Sequence, residues 1–184
     1  MKALLLSLLC VCLLTTANAQ KTLPEIKAGT VMYASAFVNG SEFPLALSIK
    51  SLSAPFSIGW AVDGYGEGSF EMSVKAVESA ANLSAAGQPA LGVTKLNDNE
   101  TFGIISKAAY KTLSDTKTFT YSGTTYKIKT DDTNLLKLGG KEADATHVIS
   151  ADGKIELWIL NNPSIPLILQ SSGLETDISI SEIK

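Results

Sequence analysis

Apolar and polar residues alternate with period two along most of the chain, the signature of strands with one buried face. The clearest case is Phe56–Val74. Phe56, Ile58, Trp60 and Val62 fall on one face, then Phe70, Met72 and Val74 after a cluster of glycines at Gly64, Gly66 and Gly68. Side chains flip with every residue, so the two apolar faces pair only across a loop of odd length. An odd loop between Val62 and Gly68 predicts Trp60 opposite Phe70 and Ile58 opposite Met72. The glycines supply the left-handed conformations such loops use.

The same alternation predicts hairpins on either side. Residues 29–52 read as strand, Asn39-Gly40 turn, strand. The two-residue turn pairs Ala36 with Phe43, Ala34 with Leu45 and Met32 with Leu47, small against large on an inner face. That register sends Tyr33 and Phe37 to the opposite face, where two aromatics among polar residues predict a covering helix or loop, or else a ligand. Residues 118–128 turn at Gly123 with Phe119, Tyr121, Tyr126 and Ile128 together. Residues 146–160 turn at Asp152-Gly153, with Val148, Ile155, Leu157 and Ile159 on one face and His147 opposite Trp158 on the other. Residues 131–144 form a polar connection, and a last hairpin runs from Pro166 through Gly173 to Ile183.

Two segments break the period. Residues 76–91, rich in Ala and Ser, read as a short helix or an irregular crossing. Phe102, Ile105, Ala109 and Leu113 recur at helical spacing, so a helix is predicted over about 102–113, after a turn at Asn97–Thr101. The expected fold is mostly β (α+β): a curved antiparallel sheet or half-barrel of about ten strands in hairpin succession, with this helix on its concave side.

Composition adds the compartment. Lys2, the apolar run Ala3–Leu14 and Ala17-Asn-Ala19 read as a secretory signal peptide over residues 1–19, leaving one β-rich domain over 20–184. No segment of that domain is long and apolar enough to span a bilayer. Both cysteines, Cys10 and Cys12, lie in the leader, so disulfides and thiolate chemistry are not expected. The chain has no arginine, and its 15 lysines face 18 acids, a balance that argues against nucleic-acid binding. These features fit a bacterial envelope or secreted protein better than a small animal extracellular module.

Little chemistry is available. Gly64-Tyr-Gly-Glu-Gly68 fails the dinucleotide pattern, because Ser69 stands where the third glycine belongs and a strand follows. His147 is the only histidine, so an imidazole metal site is excluded and no metal or cofactor is expected. Asp63-Gly64 lacks the Thr or Ser of an aspartic-protease signature. A hydrolase reading would rest on acids or on His147 as a base oriented by Glu156. Candidate ligand-contacting residues are Tyr33, Phe37, Asp63, Tyr65, Glu67, His147 and Trp158.

Three segments together carry a resemblance: Ser57–Trp60 leading into Gly66–Phe70, Thr101–Tyr110, and Glu156–Leu169 with its Asn162-Pro163 bend. They resemble exported β-rich proteins of Bacteroidetes-type bacteria, which are similar in shape to half-barrel, lipoprotein-carrier-like proteins of the envelope. The resemblance implies a curved sheet around a helix, and brings no catalytic residues. The functions it leaves in view are a binding or carrier module for a lipid, other apolar ligand or lipidated partner, and a structural protein contacting other envelope proteins.

Overall fold

The computed structural model describes residues 21–84, 89–130 and 135–184. The expected leader therefore lies outside the described residues, as does part of the 131–144 connection. The strands are β1 (Val31–Val38), β2 (Ser41–Ser51), β3 (Phe56–Val62), β4 (Gly66–Met72), β5 (Asn82–Leu83), β6 (Gly92–Lys95), β7 (Glu100–Thr101) and β8 (Thr118–Tyr121). They continue with β9 (Thr124–Ile128), β10 (Lys137–Leu138), β11 (Lys141–Glu142), β12 (Ala145–Ser150), β13 (Glu156–Leu160), β14 (Ile168–Ser172) and β15 (Thr176–Ile183). Two helices, α1 (Val74–Ser79) and α2 (Lys107–Thr116), interrupt them.

Eleven strands form one sheet in the order β6-β4-β3-β2-β1-β15-β14-β13-β12-β9-β8. It is curved and does not close into a barrel. All its pairs are antiparallel except β4 with β6. The hairpin succession expected from the alternation is thus present as two runs, β1 to β4 and β8 to β15. They are joined where β15 lies beside β1, pairing Ile180 with Ala34 and Ile178 with Ala36.

The β1–β2 register follows the sequence pattern, with Met32 on Leu47, Ala34 on Leu45 and Ala36 on Phe43. Asn39 (φ 50°) and Gly40 (φ 80°) make the two-residue turn, both left-handed as a type I′ turn requires. The β3–β4 loop is odd in length, but it is Asp63–Tyr65, three residues, rather than the longer loop expected. The pairing is therefore Ile58 on Phe70 and Trp60 on Gly68, two positions from the prediction. The reason lies at Gly68. A Cβ there would stand 2.5 Å from the Gly92 carbonyl oxygen and 2.8 Å from the Trp60 ring. Only glycine lets the indole lie across β4 while β6 approaches from the other side.

The predicted helix is displaced: α2 begins at Lys107 and ends at Thr116, and α1 is a second helix. Gly103 takes φ 70° and interrupts any helix through it, and Ser106 is the N-cap, its Oγ accepting from Ala109 N–H. Phe102, Ile104 and Ile105 are buried all the same, as an irregular strap across the concave side. Phe102 stacks on Phe70 with ring centroids 4.1 Å apart. Ile105 N–H donates to the Pro166 carbonyl, and Ile168 N–H to that of Gly103. The 3.6 period is genuinely helical at Ala109 and Leu113, while Phe102 and Ile105 extend it through a strap whose turns mimic helical spacing.

A buried polar knot fixes this strap. Thr101 Oγ1 donates to the Ile104 carbonyl at 2.7 Å and accepts from Tyr121 Oη at 2.7 Å. Tyr121 Oη in turn accepts from Ser106 N–H at 3.1 Å, and Ser106 Oγ donates to the Ala80 carbonyl at 2.7 Å. Burial pushes the Tyr121 phenol pKa up. Tyr121→Phe strands the Thr101 and Ser106 partners and is expected to cost about 1–3 kcal/mol in denaturant unfolding. Gly68→Ala is expected to cost about 1–3 kcal/mol by overpacking against backbone. Gly59→Ala meets only the Lys50 and Ser48 side chains and should cost less, as paired melts would show.

Candidate functional site

Two adjoining apolar cavities lie on the concave side, about 300 Å³ and about 360 Å³. Phe102 of the strap, with Thr176 and Ile178 of β15, lines both. The larger is walled by Ala36, Phe43, Leu45, Trp60, Tyr65 and Pro89, and the smaller by Met32, Leu47, Ile58, Tyr126, Leu167 and Ile168 among others. The inward pairing of Ala36 with Phe43, which promised a well-filled face, leaves room instead: Phe43 stays 44% exposed. Both cavities reach the same end of the sheet, where the turns at 39–40, 63–65, 122–123, 151–154 and 173–175 lie.

Trp60 forms the wall of the larger chamber and is 3% exposed. Its Nε1–H is the one buried side-chain polar atom without a hydrogen-bond partner among the described residues. Such a donor carries an uncompensated desolvation cost of about 1–3 kcal/mol. Tyr65 stacks against this indole (centroids 5.9 Å, planes 28° apart), and its Oη donates to the Pro89 carbonyl at 3.0 Å.

The seven residues singled out from sequence divide among three places. Tyr65 lines the larger chamber, and Asp63 and Glu67 are exposed on the flanking turn and strand. Tyr33 and Phe37 lie on the opposite face of β1, 46% and 39% exposed. The helix or loop expected over them is not there among the described residues. The two helices pack on the concave side instead, and only Lys184 reaches Tyr33, its Nζ 5.1 Å from the ring centroid.

His147 and Trp158 form a separate cluster on the convex side of β12 and β13. They face each other in register and stack with centroids 3.8 Å apart. His147 Nε2 lies 2.7 Å from Glu156 Oε2, the pairing its register predicted, and Lys129 Nζ donates to both carboxylate oxygens at 3.0 and 3.1 Å. The imidazole is more buried than a half-exposed strand suggested, at 5%. The Lys129 hydrogen bond is the largest influence and holds the Glu156 carboxyl below its ordinary range against the opposing effect of burial, with His147 adding a smaller lowering. Glu156 is thereby an ionised anchor. The cluster borders a mixed-polarity cavity with Thr146, Glu142 and Asn161. Asn161 Nδ2 donates to Asp144 at 2.7 Å and Thr146 Oγ1 to Asn161 at 2.6 Å, tying the connection onto the sheet.

The residues that sequence reasoning missed are the inward small and aliphatic ones at the turn end: Ala36, Val38, Leu45, Val62 and Ile178. Alternation placed most of them inside, but no pattern distinguishes an inward residue facing a neighbour from one facing space. Comparison with known families, curated proteins and solved structures found no match to this chain.

A depressed carboxyl pKa stabilises the fold above its unfolded value and loses that contribution as pH falls through the folded value. Thermal melts from pH 7 to pH 3 should therefore show a steeper loss in the native protein than in Glu156→Gln. The variant should already be less stable at pH 7, by about 1–3 kcal/mol. Parallel profiles would contradict this account of Glu156.

Proposed function

We propose that the protein is a non-enzymatic binding module that holds an apolar ligand, such as a lipid or the acyl chain of a lipidated partner, between its curved sheet and the 101–106 strap. The observation that carries the reading is the pair of apolar cavities under the strap, about 300 and 360 Å³, within the size range of small-molecule sites. A sheet whose only task was stability would gain by filling that space, since each unfilled methyl-sized gap costs about 1 kcal/mol.

In keeping with the leader at residues 1–19, the ligand is met outside the cytoplasm, in the periplasm or at the outer membrane. The His147–Glu156 pair is better accounted for as structure than as a hydrolase site. The Lys129 ion pair keeps Glu156 occupied, and the imidazole is stacked under Trp158 with 5% of its surface exposed.

Native mass spectrometry of the purified protein, before and after incubation with dodecanol, tests the reading. The expected result is a discrete one-to-one adduct that Ala36→Trp abolishes by filling the larger chamber while its melting temperature stays near that of the native protein. Absence of any adduct with the native protein would sink the proposal.

A further inference from the structure

The charge distribution around these cavities carries a second step, which rests on the binding reading above. The end of the sheet where the chambers open bears six carboxylates: Glu42, Asp63, Glu67, Asp152, Glu175 and Asp177. Each follows from strand register. Asp63 follows Val62, which lines the larger chamber, whereas Glu42 and Asp177 pair with Phe37, and Glu67 with Ala61, so these three stand at the same end of the sheet but on its convex face. Glu175 itself lines the smaller one, and Asp152 is in the turn before Ile155, which does so too. The single lysine at this end, Lys154, lies 3.7 Å from Asp152. At the far end Lys27, Lys75 and Lys184 flank the strand ends, each beside an acid, and Lys129 is held by Glu156 on the convex face.

Two of the carboxylates serve the turns they stand in. Asp177 accepts from Ser171 Oγ at 2.9 Å and from the Gly173 and Leu174 amides, and Asp152 accepts from Ser150 Oγ at 2.6 Å. They still add their negative charge to this end of the sheet. Glu42, Asp63, Glu67 and Glu175 are exposed and lack a lysine partner among the described residues. Phe43 and Tyr65, 44% and 40% exposed, add aromatic surface to the same rim, and aromatic faces attract cations. An apolar interior behind an acidic, aromatic rim repels an anionic head and attracts a positive one.

We propose that the ligand is a single-chain amphiphile with a cationic head, its chain in the chambers under Phe102 and its head at the rim near Glu175 and Tyr65. An ionised fatty acid, whose chain would fit equally well, is selected against by charge.

The test is a headgroup series at fixed chain length on the full chain: dodecylamine, dodecanol and dodecanoate, each below its micelle concentration, by calorimetry at pH 7. Dodecylamine is expected to bind about tenfold more tightly than dodecanol, and dodecanoate more weakly than either, with the spread collapsing at 1 M salt at roughly a 3 Å screening length. The double variant Asp63→Lys, Glu175→Lys, checked for an unchanged melt, should invert the order of amine and acid relative to dodecanol. Equal binding of all three, or preference for dodecanoate, overturns the headgroup assignment and leaves the cavity reading standing. Failure of dodecanol together with the other two overturns both.

Discussion

The buried knot of Thr101, Tyr121 and Ser106 is the constraint on which the interior depends. An eleven-stranded open sheet has one concave face to cover and, among the described residues, two short helices to cover it with. The strap does most of that work, and a strap has no hydrogen-bond ladder of its own. Its backbone groups must find partners one at a time, since a buried amide without one forfeits much of what burial gains. Thr101 takes the Ile104 carbonyl, Tyr121 takes the Ser106 amide, and the start of β14 takes two more. Because these bonds fix the height of Phe102 above the sheet, they also fix how much space is left beneath it.

Much of this was legible in the sequence wherever a turn dictated a register. Asn39-Gly40 and Ser122-Gly123 are left-handed pairs, and the strands flanking them pair as the alternation requires. The Asp152-Gly153 hairpin also has its expected register, with Val148 on Leu157, although the chain leaves the ladder one residue early on each side of a four-residue turn. Where the turn allowed several lengths, parity survived and register did not: the β3–β4 loop is odd, but shorter than expected. What decided it was an indole lying across a glycine, a contact between strands that neither strand shows alone.

The helix was displaced for a different reason. Phe102, Ile105, Ala109 and Leu113 do face inward and 107–113 is helical as expected, but 102–106 is a strap and the helix runs on to Thr116. Gly103 and Ser106 held the missing information, one as a left-handed breaker and the other as a cap. The candidate site was legible only in part. Tyr65 was identified through its place in the glycine turn. Ala36, Val38 and Ile178 look like ordinary core residues until the sheet's curvature carries their neighbours away from them.

The placement of β15 beside β1 has a consequence for assembly. The last strand of the chain is central in the sheet, pairing Ile183 with Met32 across nearly the full described length. Until it docks, the β1–β4 run and the β8–β14 run are two half-sheets, each with a long unpaired edge and half of an apolar face exposed. Joining them demands contacts of the highest sequence separation the chain offers, the kind that forms slowly and late. The same pairing that joins the sheet also completes the floor of the chambers, since Thr176 and Ile178 line both. The interior space is therefore enclosed only once the most sequence-distant strands of the chain have met.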